Sequence, residues 1–181
     1  MSTPLRSPLL IICLLLAGLL TLPACGARFP GQLPPAPLWL SLTPDQLAAR
    51  EEGSLYGRGQ AEGLKRISHR RAVAESAAIA DLKARFERRL TSLMKSGNSG
   101  ERPVVPPQEL AAVGEVLKHL AWAQAARVEQ RYLDAERNTQ HALARLTLSD
   151  LERALSLDPS EPTTKAVLIE YARLTFKSLR P

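Results

Sequence analysis

Few residues of this chain could carry covalent or metal chemistry. Its thiols are Cys13 and Cys25, and its imidazoles are His69, His119 and His141. The histidines stand far apart, without the His-x-x-x-His or Glu-x-x-His spacing that sets two ligands on one helix face, so a zinc centre has no support. Serines are scattered, and none sits in the Gly-x-Ser-x-Gly turn that presents an activated hydroxyl. Carboxylates mostly stand among Lys and Arg at helical spacing, the pattern of a solvated face. Gly57-Arg58-Gly59 invites a phosphate-loop reading, but Gln60-Ala61-Glu62-Gly63 follows instead of the x-x-Gly that a dinucleotide fingerprint needs. These residues point to no catalytic group, no metal, no cofactor and no small-molecule substrate, and so to a chain that is not an enzyme.

Cys25 is the exception, because of what precedes it. Arg6 is the only charged residue upstream, and Leu9 to Leu20 is an unbroken apolar run of 12 residues ending shortly before Leu22-Pro23-Ala24-Cys25-Gly26. A helix needs roughly 20 such residues to cross a bilayer. A charged start, a short apolar stretch and a small residue at the cut are instead the plan of a secretory signal. A Leu, two non-bulky residues and a Cys resemble the lipobox read by the lipoprotein signal peptidase, with Pro23 departing from the usual small residue. The alternative is a plain signal peptide with a chance cysteine. The lipobox implies a diacylglycerol on the Cys25 sulfur, cleavage before Cys25 and acylation of the freed amine. Each buried CH₂ contributes about 0.8 kcal/mol, and two chains or more hold a protein on a membrane. Gly26, in place of the Asp that favours inner-membrane retention, implies the outer membrane. The expected division is a signal peptide over 1–24, a lipidated Cys25 with a Pro-rich tether over 25–37, and a single domain over 38–181.

The tether contains Pro30, Gly31, Pro34, Pro35 and Pro37, a semi-rigid composition that reaches about 35 Å as polyproline II. With Cys25 consumed by lipid and Cys13 removed, no disulfide is left to stabilise the domain. Aromatics are only 4% of the chain while Ala and Leu abound, which favours helices in close approach. The net charge of +6 is dispersed. Its densest point, Lys65-Arg66-Ile67-Ser68-His69-Arg70-Arg71, reads first as a solvated helix start. Anionic headgroups or an acidic protein face are the functional readings, and nucleic acid is excluded by the periplasmic setting.

The elements that must build this domain follow from patterning. Thr43-Pro44-Asp45-Gln46 predicts a capped helix ending at Gly53. In Ser54–Glu62, alternation sets Leu55, Gly57, Gly59 and Ala61 on a nearly bare inner face and Tyr56, Arg58, Gln60 and Glu62 outside. A long helix over about 67–95 shows an apolar stripe, Ile79, Leu82, Phe86, Leu90 and Leu93. It also shows a small-residue stripe, Val73, Ala77, Ala80 and Ala84, that is expected to sit on the glycine strand. A second helix is expected over about 108–120. The stretch 121–148 alternates as a hairpin around Asp134–Asn138, although its Ala and Arg content also suits helix. Ser149-Asp150-Leu151-Glu152 reads as a capping box opening a short helix, and a last helix should bury Leu168, Ala172, Phe176 and Leu179. The expected class is α+β, with a small antiparallel sheet on a long helix and additional C-terminal helices.

Three segments together resemble the Lpp-twenty family of small bacterial outer-membrane lipoproteins, which is related to flagellar-type periplasmic domains. They are Leu38-Trp39, Leu55-Tyr56-Gly57-Arg58-Gly59-Gln60-Ala61 before the Ala/Arg-rich helix, and His141-Ala142-Leu143-Ala144-Arg145-Leu146 after a Tyr-containing strand. Tyr132 and Gln140-His141 depart from the family's pattern, which has a Trp before the hairpin turn and an aromatic in the second strand. The resemblance implies an α+β domain, no catalytic residues, and an envelope component that in some members belongs to flagellar outer-membrane discs. The expected partners are the membrane, through lipid on Cys25, and envelope proteins or further copies of the chain; an unprotected edge of a small sheet would be a pairing site. The competing reading is a tetratricopeptide-like peptide binder, because Leu151–Pro159 looks like the end of one such repeat. No second copy occurs at a 34-residue interval, and a stack needs about three repeats.

Overall fold

A glycine-bearing strand laid against a long helix with seven buried residues organises the molecule. In a computed structural model, residues 35–96 and 105–178 are described. Cys25, the apolar run before it, most of the tether and Leu179 lie outside the described residues. A 3₁₀ turn at Leu38–Leu40 leads to α1 (Pro44–Arg50), β1 (Ser54–Ala61), α2 (Ile67–Ser96), α3 (Pro107–His119) and the single turn α4 (Trp122–Ala125). The hairpin β2 (Arg127–Asp134) and β3 (Thr139–Thr147) follows, then α5 (Leu148–Leu157) and α6 (Pro162–Lys177). The class is α+β, as the pattern predicted.

The sheet is antiparallel in the order β1-β3-β2. The register sets Leu55 opposite Leu146, Gly57 opposite Ala144 and Gly59 opposite Ala142. These small and aliphatic pairs make the face that receives α2. At Gly57 a Cβ would lie 2.3 Å from Ala78 O and 2.4 Å from Leu82 N, and at Gly59 it would lie 2.1 Å from Ala74 O. Helix backbone therefore rests directly on strand backbone. The hairpin reading of 121–148 holds, apart from the short helix α4, which the alternation did not reveal.

The small-residue stripe is Ala74 and Ala78, not the expected Val73, Ala77, Ala80 and Ala84. Ala74 and Ala78 are fully buried, whereas Val73 is 38% exposed and Ala80 and Ala84 are exposed. The buried residues of α2 are Arg70, Ala74, Ala78, Leu82, Phe86, Leu90 and Met94, a strict four-residue step. At 3.6 residues per turn, each step of four advances the buried line about 40° round the helix. The line therefore winds from the sheet to the C-terminal helices. Ala74 to Leu82 meet β1, and Phe86 meets Trp122 of α4 edge-on at 5.9 Å and Phe176 of α6 at 6.2 Å. Ile79 and Leu93 lie partly buried against the same core.

Local signals account for most element ends. Thr43 Oγ1 accepts from Gln46 N while Gln46 Oε1 accepts from Thr43 N, the expected capping box. Gly53 takes a φ of 72° between α1 and β1, a conformation that suits glycine. The start of α5 differs from the expected Ser149. Its cap is Thr147, whose Oγ1 accepts from Asp150 N, so the chain turns straight from strand into helix. In α6, Leu168, Ala172 and Phe176 are buried as expected.

Candidate functional site

Arg58 fastens the point where the N-terminal segment joins the domain. Alternation along β1 turns it away from α2, onto the outer face. There its Nη1 donates to Leu42 O and its Nη2 to Leu40 O, both at 2.9 Å. The guanidinium also lies 5.8 Å from the Trp39 ring centroid. A planar fork that donates to two carbonyls while facing an aromatic ring is a task that Arg meets and Lys does not. The Arg58 backbone N–H donates to Asp81 Oδ2 of α2 at 3.0 Å. One residue thus ties the entering chain to the sheet and the edge of the sheet to the long helix. Asp81 in turn accepts from Arg85, and Arg85 and Arg89 both reach Asp45 at the start of α1.

Beside Arg58 lies a cleft of about 620 Å³ between the entering segment at Ala36–Leu38 and the hairpin residues Tyr132, Asp134, Arg137 and His141. A second hollow of about 360 Å³ shares Arg58 and His141 and extends to Asp81 and Arg85. The Tyr132 and His141 rings stand 6.3 Å apart, an aromatic contact beside the cleft. Burial holds the His141 imidazole below the ordinary histidine range; Arg58 and Arg137 push the same way, while Asp134 and Glu62 oppose them. No carboxylate among the described residues hydrogen-bonds this ring to prime it as a base.

At the far end of the sheet, Tyr56 donates its hydroxyl to Glu51, and Arg145 pairs with Glu51 and Glu129. Burial, the Glu51 hydrogen bond and the negative charge of Glu129 and Glu51 raise the phenol well above its usual range, against Arg145. A phenol held protonated is a structural donor and not a base. Burial alone would raise the Asp150 carboxyl, but hydrogen bonds from Thr147 and Arg153 and the charges of Arg127 and Arg153 hold it below its usual value. It is 5% exposed and lies 2.8 Å from Arg127 and 2.7 Å from Arg153, locking α5 to β2.

The three histidines remain separate. His69 is exposed on α2, His119 is exposed at the end of α3 beside Glu115, and His141 lines the cleft. Among the described residues no group of three His, Cys, Asp or Glu could hold a metal ion, and no helix is long and apolar enough to cross a membrane. In the basic segment, Lys65, Arg66, His69 and Arg71 are exposed, as a solvated helix start should be. Arg70 departs from that reading. It is 4% exposed and donates through Nη1 to the carbonyl and the side chain of Asn138 in the hairpin turn. Its Nε has no partner. Arg70 heads the four-residue series of buried positions on α2, the signal that could have separated it from its neighbours.

The segments that carry the Lpp-twenty resemblance lie side by side: Trp39 faces Arg58, and Leu55–Ala61 pairs with Gln140–Leu146. The tetratricopeptide-like stretch is α5, which packs with α6 and joins directly to the sheet. No protein-family model matches the chain, and no curated protein matches it.

Proposed function

We propose that the chain is an outer-membrane-anchored lipoprotein with a non-catalytic structural or protein-interaction role in the bacterial cell envelope. The observation that carries this reading is the lipobox-like Leu22-Pro23-Ala24-Cys25-Gly26 after a 12-residue apolar run. The site geometry supports it. A polar constellation on the outer face, around Arg58, is spent on holding the entering segment at Leu40 and Leu42. Tyr56 and Asp150 are likewise committed to internal bonds. The resemblance to the Lpp-twenty family extends the proposal to a flagellar or other envelope assembly. Its partners are then the membrane, through lipid on Cys25, and envelope proteins or further copies of the chain.

The test is metabolic labelling with palmitate and membrane fractionation of wild type and Cys25→Ser. The wild-type chain takes up label, loses residues 1–24 and fractionates with outer membranes, while Cys25→Ser stays unlabelled and uncleaved. Equal labelling of the two refutes the anchor.

A further inference from the structure

We propose that the end of the domain formed by Leu38, Lys65–Arg71 and the hairpin turn 135–138 is a docking face for the anionic lipid headgroups of the leaflet that holds the anchor. This inference rests on the lipid anchor proposed above and adds an orientation to it.

Three independent placements converge on this end. The entering chain lies here, since Ala36, Pro37 and Leu38 share a cleft with Glu136 and Arg137 of the hairpin turn. The start of α2 lies here, since β1 ends at Ala61 opposite Gln140, and Arg70 reaches Asn138. Two of the large apolar side chains most open to solvent also lie here, Leu38 at 63% and Ile67 at 55% exposed.

Most arginines elsewhere are held by a partner, exposed Arg50 and Arg88 excepted. Arg58, Arg85, Arg89, Arg127, Arg131, Arg145, Arg153 and Arg173 are all bound to a carboxylate or a carbonyl. Lys65, Arg66 and Arg71 are exposed, and none has an ion pair among the described residues. The first turn of α2 has no acidic residue. Cations at a helix N-terminus oppose the helix dipole, so the fold gains nothing from their being there. An anionic surface reverses that balance, because it meets both the cations and the positive end of the dipole. Exposed Glu62 and Glu136 stand at the same end and reduce the net charge. The binding is therefore weak and oriented, as suits a domain that the proposed anchor already holds near the leaflet. Leu38 and Ile67 enter the headgroup layer while Lys65, Arg66 and Arg71 meet phosphates. Each such cation contributes roughly fivefold to the docked population at low salt.

The experiment uses the full lipidated chain with one introduced thiol. Ile67→Cys reports on the proposed face. Ala49→Cys, exposed on α1, reports on the opposite end, where β1 begins. The two ends are separated by most of β3, about 26 Å at ~3.3 Å per residue. Each protein is labelled with a polarity-sensitive fluorophore and reconstituted into vesicles of brominated phosphatidylcholine, with or without about one-third phosphatidylglycerol. Flotation measures the anchor, and bromine quenching measures the docking. We expect both proteins to float on both vesicles, with at least twofold stronger quenching at position 67 than at 49 in the anionic ones. This excess should vanish in 0.5 M salt, where the screening length falls to roughly 4 Å, and in the triple variant K65E/R66E/R71E. Proteins that float but quench equally at the two positions overturn the docking face and leave the anchor standing. Quenching at 67 that ignores both phosphatidylglycerol and the triple variant overturns it too. Proteins that do not float, with Cys25 free to react with the fluorophore, overturn the anchor and this inference with it.

Discussion

Adding one methyl group at Gly59 should separate β1 from α2. In Gly59→Ala the new Cβ would lie 2.1 Å from Ala74 O and 2.3 Å from Ala78 N, both backbone atoms of a helix turn that cannot swing aside. Ordinary contact begins near 3.4 Å, so the helix must recede by more than about 1 Å. A gap of that size forfeits about a quarter to a half of each dispersion contact across it, and a buried Leu makes roughly 40–60 contacts of ~0.1–0.2 kcal/mol. Leu82 alone, fully buried beside Gly57, then loses on the order of 2 kcal/mol. Ala74 and Ala78 add to this, while the stiffer unfolded chain returns about 0.4–1 kcal/mol. The net cost is about 3 kcal/mol, toward the upper limit of ordinary overpacking. For a domain of this size that lowers Tm by roughly 6–12 °C. Thermal melting followed by circular dichroism measures it, with two substitutions on the same helix-and-glycine theme as controls. Ala80→Leu, on the exposed side of α2, should leave Tm nearly unchanged. Gly114→Ala, in α3 with nothing within 4 Å of the new Cβ, should stabilise by about 0.5–1 kcal/mol. A Gly59→Ala variant melting within 1–2 °C of wild type refutes the contact between strand and helix backbones.

Arg58→Ala removes two charge-assisted bonds to the carbonyls of Leu40 and Leu42 and should cost about 2–3 kcal/mol. Limited proteolysis should then cut within 35–43 well before the sheet unfolds; an equally resistant segment would disprove the fastening. Acid should destabilise the domain in two steps, read from urea unfolding between pH 7.5 and pH 2.5. A base with a lowered pKa binds fewer protons folded than unfolded, so the His141 step begins below 6.5, and His141→Gln should flatten it. The lowered Asp150 carboxyl stabilises above 3.8 and loses that contribution as pH falls through 3.8 toward its folded value, a step absent in Asp150→Asn. Unchanged slopes in both variants would refute the assignments.

How far the sequence could be read depended on how local each signal was. The Thr43–Gln46 box and the alternation of Leu55, Gly57, Gly59 and Ala61 need only neighbouring residues, and both stand as expected. The hairpin competed with a helical reading because Ala142 and Ala144 carry no strand preference of their own. They are small because α2 lies over them, a reason that exists only in the folded chain. The small-residue stripe of α2 failed for a related cause. Steps of three and four fit a face that stays on one side of a helix, whereas this helix changes its packing partner halfway along. A strict step of four was the mark of that rotation, and it also held the buried Arg70. The Thr147 cap was hidden because it is a strand residue until the chain turns. Arg58 looked like any outward charge on a strand. Its role depends on Trp39 and on carbonyls some 16–18 residues upstream, a contact no periodicity encodes.

The two edges of the sheet bear on how such a domain could meet its neighbours. A bare edge strand would offer a ready route to self-association, the route expected of a small sheet on a crowded membrane. The β1 edge is covered, and the exposed β2 edge carries a bulge and charges. On β1, Asp81 takes the Arg58 N–H, and α1, held to α2 through Asp45, packs against the strand. On β2, the register shifts between Val128 and Gln130, and Arg127, Glu129 and Arg131 are each drawn into ion pairs with Asp150, Arg145 and Glu75. Bulges and charges are the devices by which natural sheets refuse further strands. Pairing along β2 would have to straighten the bulge and disturb Arg127, which helps hold the buried Asp150. A partner or second copy is therefore better met through the exposed helical surface than through strand addition. A chain anchored as proposed would need only weak helical contacts, because confinement to a plane raises the effective concentration of whatever stands alongside.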